Sequence, residues 1–169
     1  MESSNIIKIK ERYDFTFVIP NTRWHREGAG RYWNHIPYPE GILTAVLRKH
    51  GFTVNHIDAN VNDYDEDELS KIVKREAGNV VGISALSVEY RDSVHKTFGI
   101  IKKAKPSCKT VLGGVYPSIS PDVAKRDNSV DFIVISEGEN RLLELMKAIK
   151  GKTNFDKVDG LHYRKDGMW

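Results

Sequence analysis

The sequence predicts an α/β domain: five parallel strands in one sheet, in the order 2-1-3-4-5, with helices on both faces and an extra strand leading out at the carboxyl end. Two observations predict it. Short branched, apolar runs alternate five times with longer segments whose apolar residues recur every three or four positions. Right-handed crossovers then give a parallel sheet covered on both sides. Two of the apolar runs, Thr110–Leu112 and Asp131–Ile135, end in small residues, Gly113-Gly114 and Ser136-Glu137-Gly138. Small strand exits leave room on the edge where open α/β sheets bind ligands.

The elements follow in order. Residues 1–12 are a polar lead-in in which Ile6, Ile7 and Ile9 suit a short edge strand. Phe15–Ile19 is the first firm strand, stopped by Pro20. A long loop, Asn21–Tyr38, carries Trp24, His25, Tyr32, Trp33, His35 and Tyr38, and loops of that length are usually functional. Pro39 opens a helix with Ile42, Leu43, Val46 and Leu47 on one face, ending at Gly51. Phe52–Ala59 is strand two. Acids at Asp63–Glu68 favour the first turn of the next helix, continued by Leu69, Ile72 and Val73. Val80–Leu86 is strand three, and Tyr90, Val94, Phe98 and Ile101 mark the helix after it, which stops before Pro106. Thr110–Leu112 is strand four, with a short helix near Ser120-Pro121. Phe132–Ile135 is strand five, and Leu142–Ile149 line the last helix of a domain spanning 13–152. In 153–169, Val158–Tyr163 reads as one more strand and Asp166-Gly167 as a hairpin turn. Only two residues follow, too few for a return strand, which suggests a fragment of a longer polypeptide; a frayed natural terminus is the alternative. The arrangement is flavodoxin-like (Rossmann-like), with its switch point between strands one and three.

Composition narrows the function classes. The 169 residues suit one well-buried domain, and 40% hydrophobic content is ordinary for a globular protein. A net charge of +3 is too small an imbalance to imply nucleic acid. No apolar run approaches the length of a membrane span, so a cytoplasmic protein is expected. Cys108 is the single cysteine, which excludes a disulfide framework or an iron–sulfur site built from this chain alone. It is expected to fill space before strand four, and Lys102, Lys103 and Lys105 to form a solvated helix end.

Several motifs fail on chemistry. Gly28-Ala29-Gly30 has Trp33 where a dinucleotide fingerprint needs its third glycine. Asp58, Asn60 and Asn62 have calcium-loop spacing, but Asp63 replaces the turn glycine and Leu69 the bidentate glutamate. A phospho-acceptor receiver would place acids where Pro20-Asn21 and Ser84 stand.

The remaining marks resemble one family. Ser84-Ala85-Leu86 after strand three and Gly113-Gly114 after strand four are separated by 26 residues. Pro39-Glu40-Gly41 opens the first helix, Gly113–Ser118 reads Gly-Gly-Val-Tyr-Pro-Ser, and Ser136–Glu139 reads Ser-Glu-Gly-Glu. In this order the chain resembles the cobalamin-binding domain that precedes the catalytic barrel of B12-dependent radical SAM enzymes. The resemblance implies contacts to cobalamin from Asn21, Tyr38 and Gly41, from Ser84, Leu86 and Ser87, from Gly113, Gly114, Tyr116 and Pro117, and from Ser136, Glu137, Gly138 and Glu139. Gly113 and Gly114 would make room for the nucleotide tail, Ser84 and Ser87 would hydrogen-bond it, and Gly138 would let it approach strand five. Local roles compete: a strand-end hydroxyl can bond its own backbone, and glycines can serve turn geometry alone.

The family also implies a barrel in cis carrying a 4Fe-4S cluster and S-adenosylmethionine, with methyl transfer or related radical chemistry on a substrate chosen elsewhere. None of the cluster's three cysteines is here, so this chain alone is not expected to catalyse that reaction. Mutase-type relatives carry Asp-x-His-x-x-Gly before the first helix. With the glycine on Gly41, Tyr38 stands at the histidine and Ile36 at the aspartate. The expectation is base-off cobalamin with no histidine on cobalt and Tyr38 or the loop's aromatics beneath it; His25 is the alternative ligand. A free-standing corrinoid carrier and a scaffold that has lost cobalamin stay open beside this reading.

Overall fold

The computed structural model describes residues 13–25, 37–165 and 167–169. The lead-in, Gly28-Ala29-Gly30, Tyr32, Trp33, His35 and Asp166 lie outside them, as does the side chain of His25.

Six strands form one sheet in the order β2-β1-β3-β4-β5-β6. They are β1 (Phe15–Ile19), β2 (Val54–Asp58), β3 (Val80–Ser84), β4 (Lys109–Gly113), β5 (Phe132–Val134) and β6 (Leu161–Tyr163). The first five pair in parallel, and β6 closes the far edge antiparallel to β5. The helices are α1 (Tyr38–Lys49), α2 (Glu66–Glu76), α3 (Arg91–Ala104), α4 (Val115–Ile119), α5 (Pro121–Ala124) and α6 (Gly138–Ile149).

Strand alternation sorts the core into two layers. Val18, Val81, Ile83, Leu112 and Ile133 pack under α2 and α3 with Leu69, Val73, Val94, Phe98 and Ile101. Phe15, Phe17, Val80, Val111, Phe132 and Val134 pack under α1 and α6 with Leu47, Leu142, Leu143 and Met146. The parallel order 2-1-3-4-5 is therefore the one expected, with β6 added.

Boundaries differ where the backbone changes partner. Strand three ends at Ser84 rather than Leu86, because Ala85 gives its carbonyl to the Tyr116 amide, 3.0 Å away, instead of continuing the ladder. Strand two begins at Val54 and strand five ends at Val134. Helix α2 starts at Glu66, not among the earlier acids: Asp63 takes a left-handed φ of 54°, and Asp65 with Glu68 closes a capping box. Helix α4 was not expected. Its Pro117 sits in the first turn, where no amide hydrogen is needed. At the amino edge, Lys102 Nζ bonds the Cys108 carbonyl and Asp131, and Lys105 Nζ bonds the Ala77 carbonyl, so two of the expected solvated lysines are structural. Met168 does pair back, exchanging two backbone hydrogen bonds with Lys165.

No helix among the described residues is long and apolar enough to cross a membrane. None of them forms a group of three or more His, Cys, Asp or Glu able to hold a metal. The Asp58 carboxylate instead accepts the Asn60 and Val61 amides in a tight turn.

Candidate functional site

The site arises from side-chain size on one face of the sheet. Toward α2 and α3, the carboxyl halves of β3 and β4 present Val81, Ile83 and Leu112. Toward α1 and α6 the alternate positions are Gly82, Ser84 and Gly113, with Ser84 beside Gly113 in register. Helices α1 and α6 cannot close onto positions with no bulk, and a cleft of about 500 Å³ opens between them and the sheet. That volume falls within the range of roughly 300–1,000 Å³ usual for small-molecule sites. Its floor is apolar, formed by Phe15, Phe17, Val111 and Val134, and Ile42, Leu43 and Leu142 line the helical side. Phe15 leans over Gly82, where a Cβ would fall 2.3 Å from the ring.

The two exit glycines differ. A Cβ on Gly113 would meet only the Val134 carbonyl, at 3.9 Å, so its absence widens the cleft. Gly114 has φ +97°, and a Cβ there would lie 2.6 Å from the Ala85 carbonyl oxygen. It serves the close crossing of two backbones, which is the turn-geometry role. Across the mouth, Ser118 Oγ donates to the Gly114 carbonyl and accepts the Ser136 amide, both at 2.8 Å. Ser136 itself holds a left-handed φ of 62°, a conformation that costs a non-glycine residue about 1 kcal/mol or more. Gly138 opens α6, where a Cβ would touch Leu43 at 3.2 Å.

Nine of the fourteen anticipated residues line the cleft: Tyr38, Ser84, Leu86, Gly113, Gly114, Ser136, Glu137, Gly138 and Glu139. Tyr38 stands at its rim, 71% exposed. The other five do not. Asn21 is buried, bonding Asp63, the Tyr64 carbonyl and the Arg23 amide, which ties the β1 exit to the β2–α2 loop. Gly41 faces open space. The Ser87 hydroxyl accepts the Glu89 amide and caps the turn before α3. Tyr116 and Pro117 are buried, and the Tyr116 ring packs with the α3 face.

Gly82 also lines the cleft and lies outside the motifs the sequence marks, whereas Val115 and Ser118 line it from the Gly113–Ser118 motif, with Ile119 just beyond. The signal for Gly82 was available: it falls two residues before Ser84, hence on the same face.

Residues 34–146 match the family model of the B12 binding domain. The anaerobic magnesium-protoporphyrin IX monomethyl ester cyclase of Rubrivivax gelatinosus is 32% identical over 152 residues, 87% of this chain and 27% of that protein. The cytidylyl-2-hydroxyethylphosphonate methyltransferase of Streptomyces wedmorensis is 27% identical over 150 residues, 77% of this chain and 28% of that one. This chain thus spans little more than a quarter of these curated relatives. Among solved structures, the radical S-adenosylmethionine methyltransferase TsrM from Kitasatospora setae, with cobalamin and a 4Fe-4S cluster bound, aligns with a TM-score of 0.74. The alignment covers 90% of this chain and 29% of TsrM at 20% identity. The cobalamin-dependent S-adenosylmethionine radical enzyme OxsB, with aqua-cobalamin and S-adenosylmethionine bound, also aligns at 0.74, over 92% of this chain and 21% of OxsB at 22% identity. Likeness at these identities establishes a shared fold. With the family model laid over that fold, the chain belongs to the B12 binding domain family.

Proposed function

We propose that this chain is the cobalamin-binding module of a B12-dependent radical SAM enzyme, and that it takes the cofactor's nucleotide tail into the cleft between α1, α6 and the sheet. The observation that carries the reading is Gly113, whose missing side chain opens a deep, apolar-floored cleft at the carboxyl edge. An aromatic base suits a floor of Phe15, Phe17, Val111 and Val134. Ser84 is placed to hydrogen-bond the polar part of the tail, and Glu137 and Glu139 stand near its exit. Tyr38, exposed at the rim, would lie beneath the corrin.

Bound there, cobalamin supplies a carrier for a methyl group or for related radical chemistry. No histidine occurs among the described residues that line the cleft. With the tail drawn down and no imidazole in its place, the cofactor would be held base-off without a protein histidine on cobalt. By analogy with the longer relatives, a barrel in cis would hold the 4Fe-4S cluster and S-adenosylmethionine and select the substrate.

The test is retention. The purified chain is mixed with hydroxocobalamin, desalted and its visible spectrum recorded. Retained corrinoid with a base-off spectrum is expected. A colourless protein would overturn the reading in favour of a scaffold. A histidine-ligated spectrum abolished by His25→Ala would overturn the ligand assignment.

A further inference from the structure

Helix α4 forms one wall of the cleft through Val115, Ser118 and Ile119, yet it has only five residues. A helix that short has no stability of its own, so its position is set by what holds it. On the side away from the cleft its anchor is a half-buried polar chain. Tyr116 is fully buried, and its hydroxyl lies 2.7 Å from His95 Nε2 on α3. His95 Nδ1 lies 2.6 Å from Asp127 Oδ2. Burial alone would raise the Asp127 pKa, but hydrogen bonds from His95 and the Ser129 amide hold it below the ordinary value. Burial pushes the Tyr116 hydroxyl up, keeping its proton. An ionised carboxylate only accepts, so His95 Nδ1 donates to Asp127, and the ring's other nitrogen, Nε2, is the one paired with the Tyr116 hydroxyl.

The far end of this chain is clamped by the carboxyl-terminal segment. Arg164 Nη2 donates to the carbonyls of Lys125 (3.0 Å) and Asp127 (3.2 Å), and Trp169 Nε1 donates to the Lys125 carbonyl at 2.7 Å. The guanidinium sits 4.6 Å from the centre of the Trp169 ring. The loop bearing Asp127 is therefore fixed from beyond β6.

We propose that Tyr116, His95 and Asp127, braced by Arg164 and Trp169, are positioning residues that hold the α4 wall of the cleft and thereby set how tightly the chain grips a corrinoid's nucleotide tail, although none of the five lines the cleft. The inference rests on the proposed cobalamin site, and its test separates the two. Tyr116→Phe keeps the ring and strands Nε2; His95→Ala removes the link; Asp127→Asn leaves one oxygen where His95 Nδ1 and the Ser129 amide each engage their own. Each chain is titrated with hydroxocobalamin and with cobinamide, which has the corrin but no nucleotide tail. Native-state hydrogen exchange is followed at the Tyr116 and Ser120 amides, which bond the Ala85 and Tyr116 carbonyls.

For Tyr116→Phe and His95→Ala, hydroxocobalamin affinity should fall about tenfold and exchange at both amides should rise about tenfold, a loss of the size one hydrogen bond supports. Cobinamide affinity and exchange in β1 should hold within about twofold, and Asp127→Asn, which leaves one of its two donors unmet, should shift in the same direction as His95→Ala. Unchanged exchange at α4 overturns the proposal. So does an equal loss for both corrinoids, because that reports general loosening. If the wild-type chain binds no corrinoid, the cobalamin reading fails, and the exchange measurement alone decides whether the relay holds α4.

Discussion

At Gly113 and Gly114 two adjacent residues of one type answer to different forces. Gly113 has room for a side chain and would fill the cleft with it, whereas Gly114 has a φ of +97° and the Ala85 backbone 2.6 Å from where a Cβ would stand. Gly113→Leu should therefore leave the urea midpoint nearly unchanged and abolish corrinoid retention. Gly114→Ala should cost about 3 kcal/mol in the same unfolding measurement, combining left-handed strain with a clash against backbone. A second residue-scale expectation concerns pH. His56 is half-buried on β2, its Nε2 2.8 Å from Thr44 Oγ1, and burial, with Arg48 adding, lowers its pKa from 6.5. The unfolded chain then binds the proton more readily than the folded one, so stability is full above pH 6.5 and declines as pH falls through the lowered value. Burial lowers the His162 pKa as well, adding in the same direction. Urea midpoints measured between pH 7.5 and 5.5 should fall toward acid, with a shallower slope in His56→Gln.

At the scale of elements, the parallel strands and longer helices were legible because each repeats a period over several residues. Helix α4 was not legible. Five residues containing Val115, Pro117 and Ile119 carry no helical signal, and the segment is helical because Tyr116 and Ser118 tie it to its neighbours. The Ser118 hydroxyl spans α4 and the exit of β5, where Ser136 sits in the left-handed region. Ser118→Ala leaves the Ser136 amide without that acceptor. It should lower stability by about 1 kcal/mol in urea unfolding and raise hydrogen exchange at the Ser136 amide. Beyond α6, the extra strand predicted over Val158–Tyr163 is present at Leu161–Tyr163, antiparallel beside β5, pairing Phe132 with Tyr163 and Val134 with Leu161.

Across the molecule, the sequence by itself determined the layer architecture, the strand order and the edge on which a ligand site would lie. These follow from alternation, crossover handedness and small residues at strand exits, all of which are local or follow general rules. It also marked nine of the cleft's residues, since motif residues at strand ends reach the same edge. Only the tertiary structure decided which of the two sheet faces carries the cleft, because that depends on Gly82, Ser84 and Gly113 falling on one face in register. It also turned Tyr116 away from the cleft, toward His95 on a helix 21 residues earlier in the chain. A contact between elements so far apart in sequence leaves no periodic trace, and packing alone selects it.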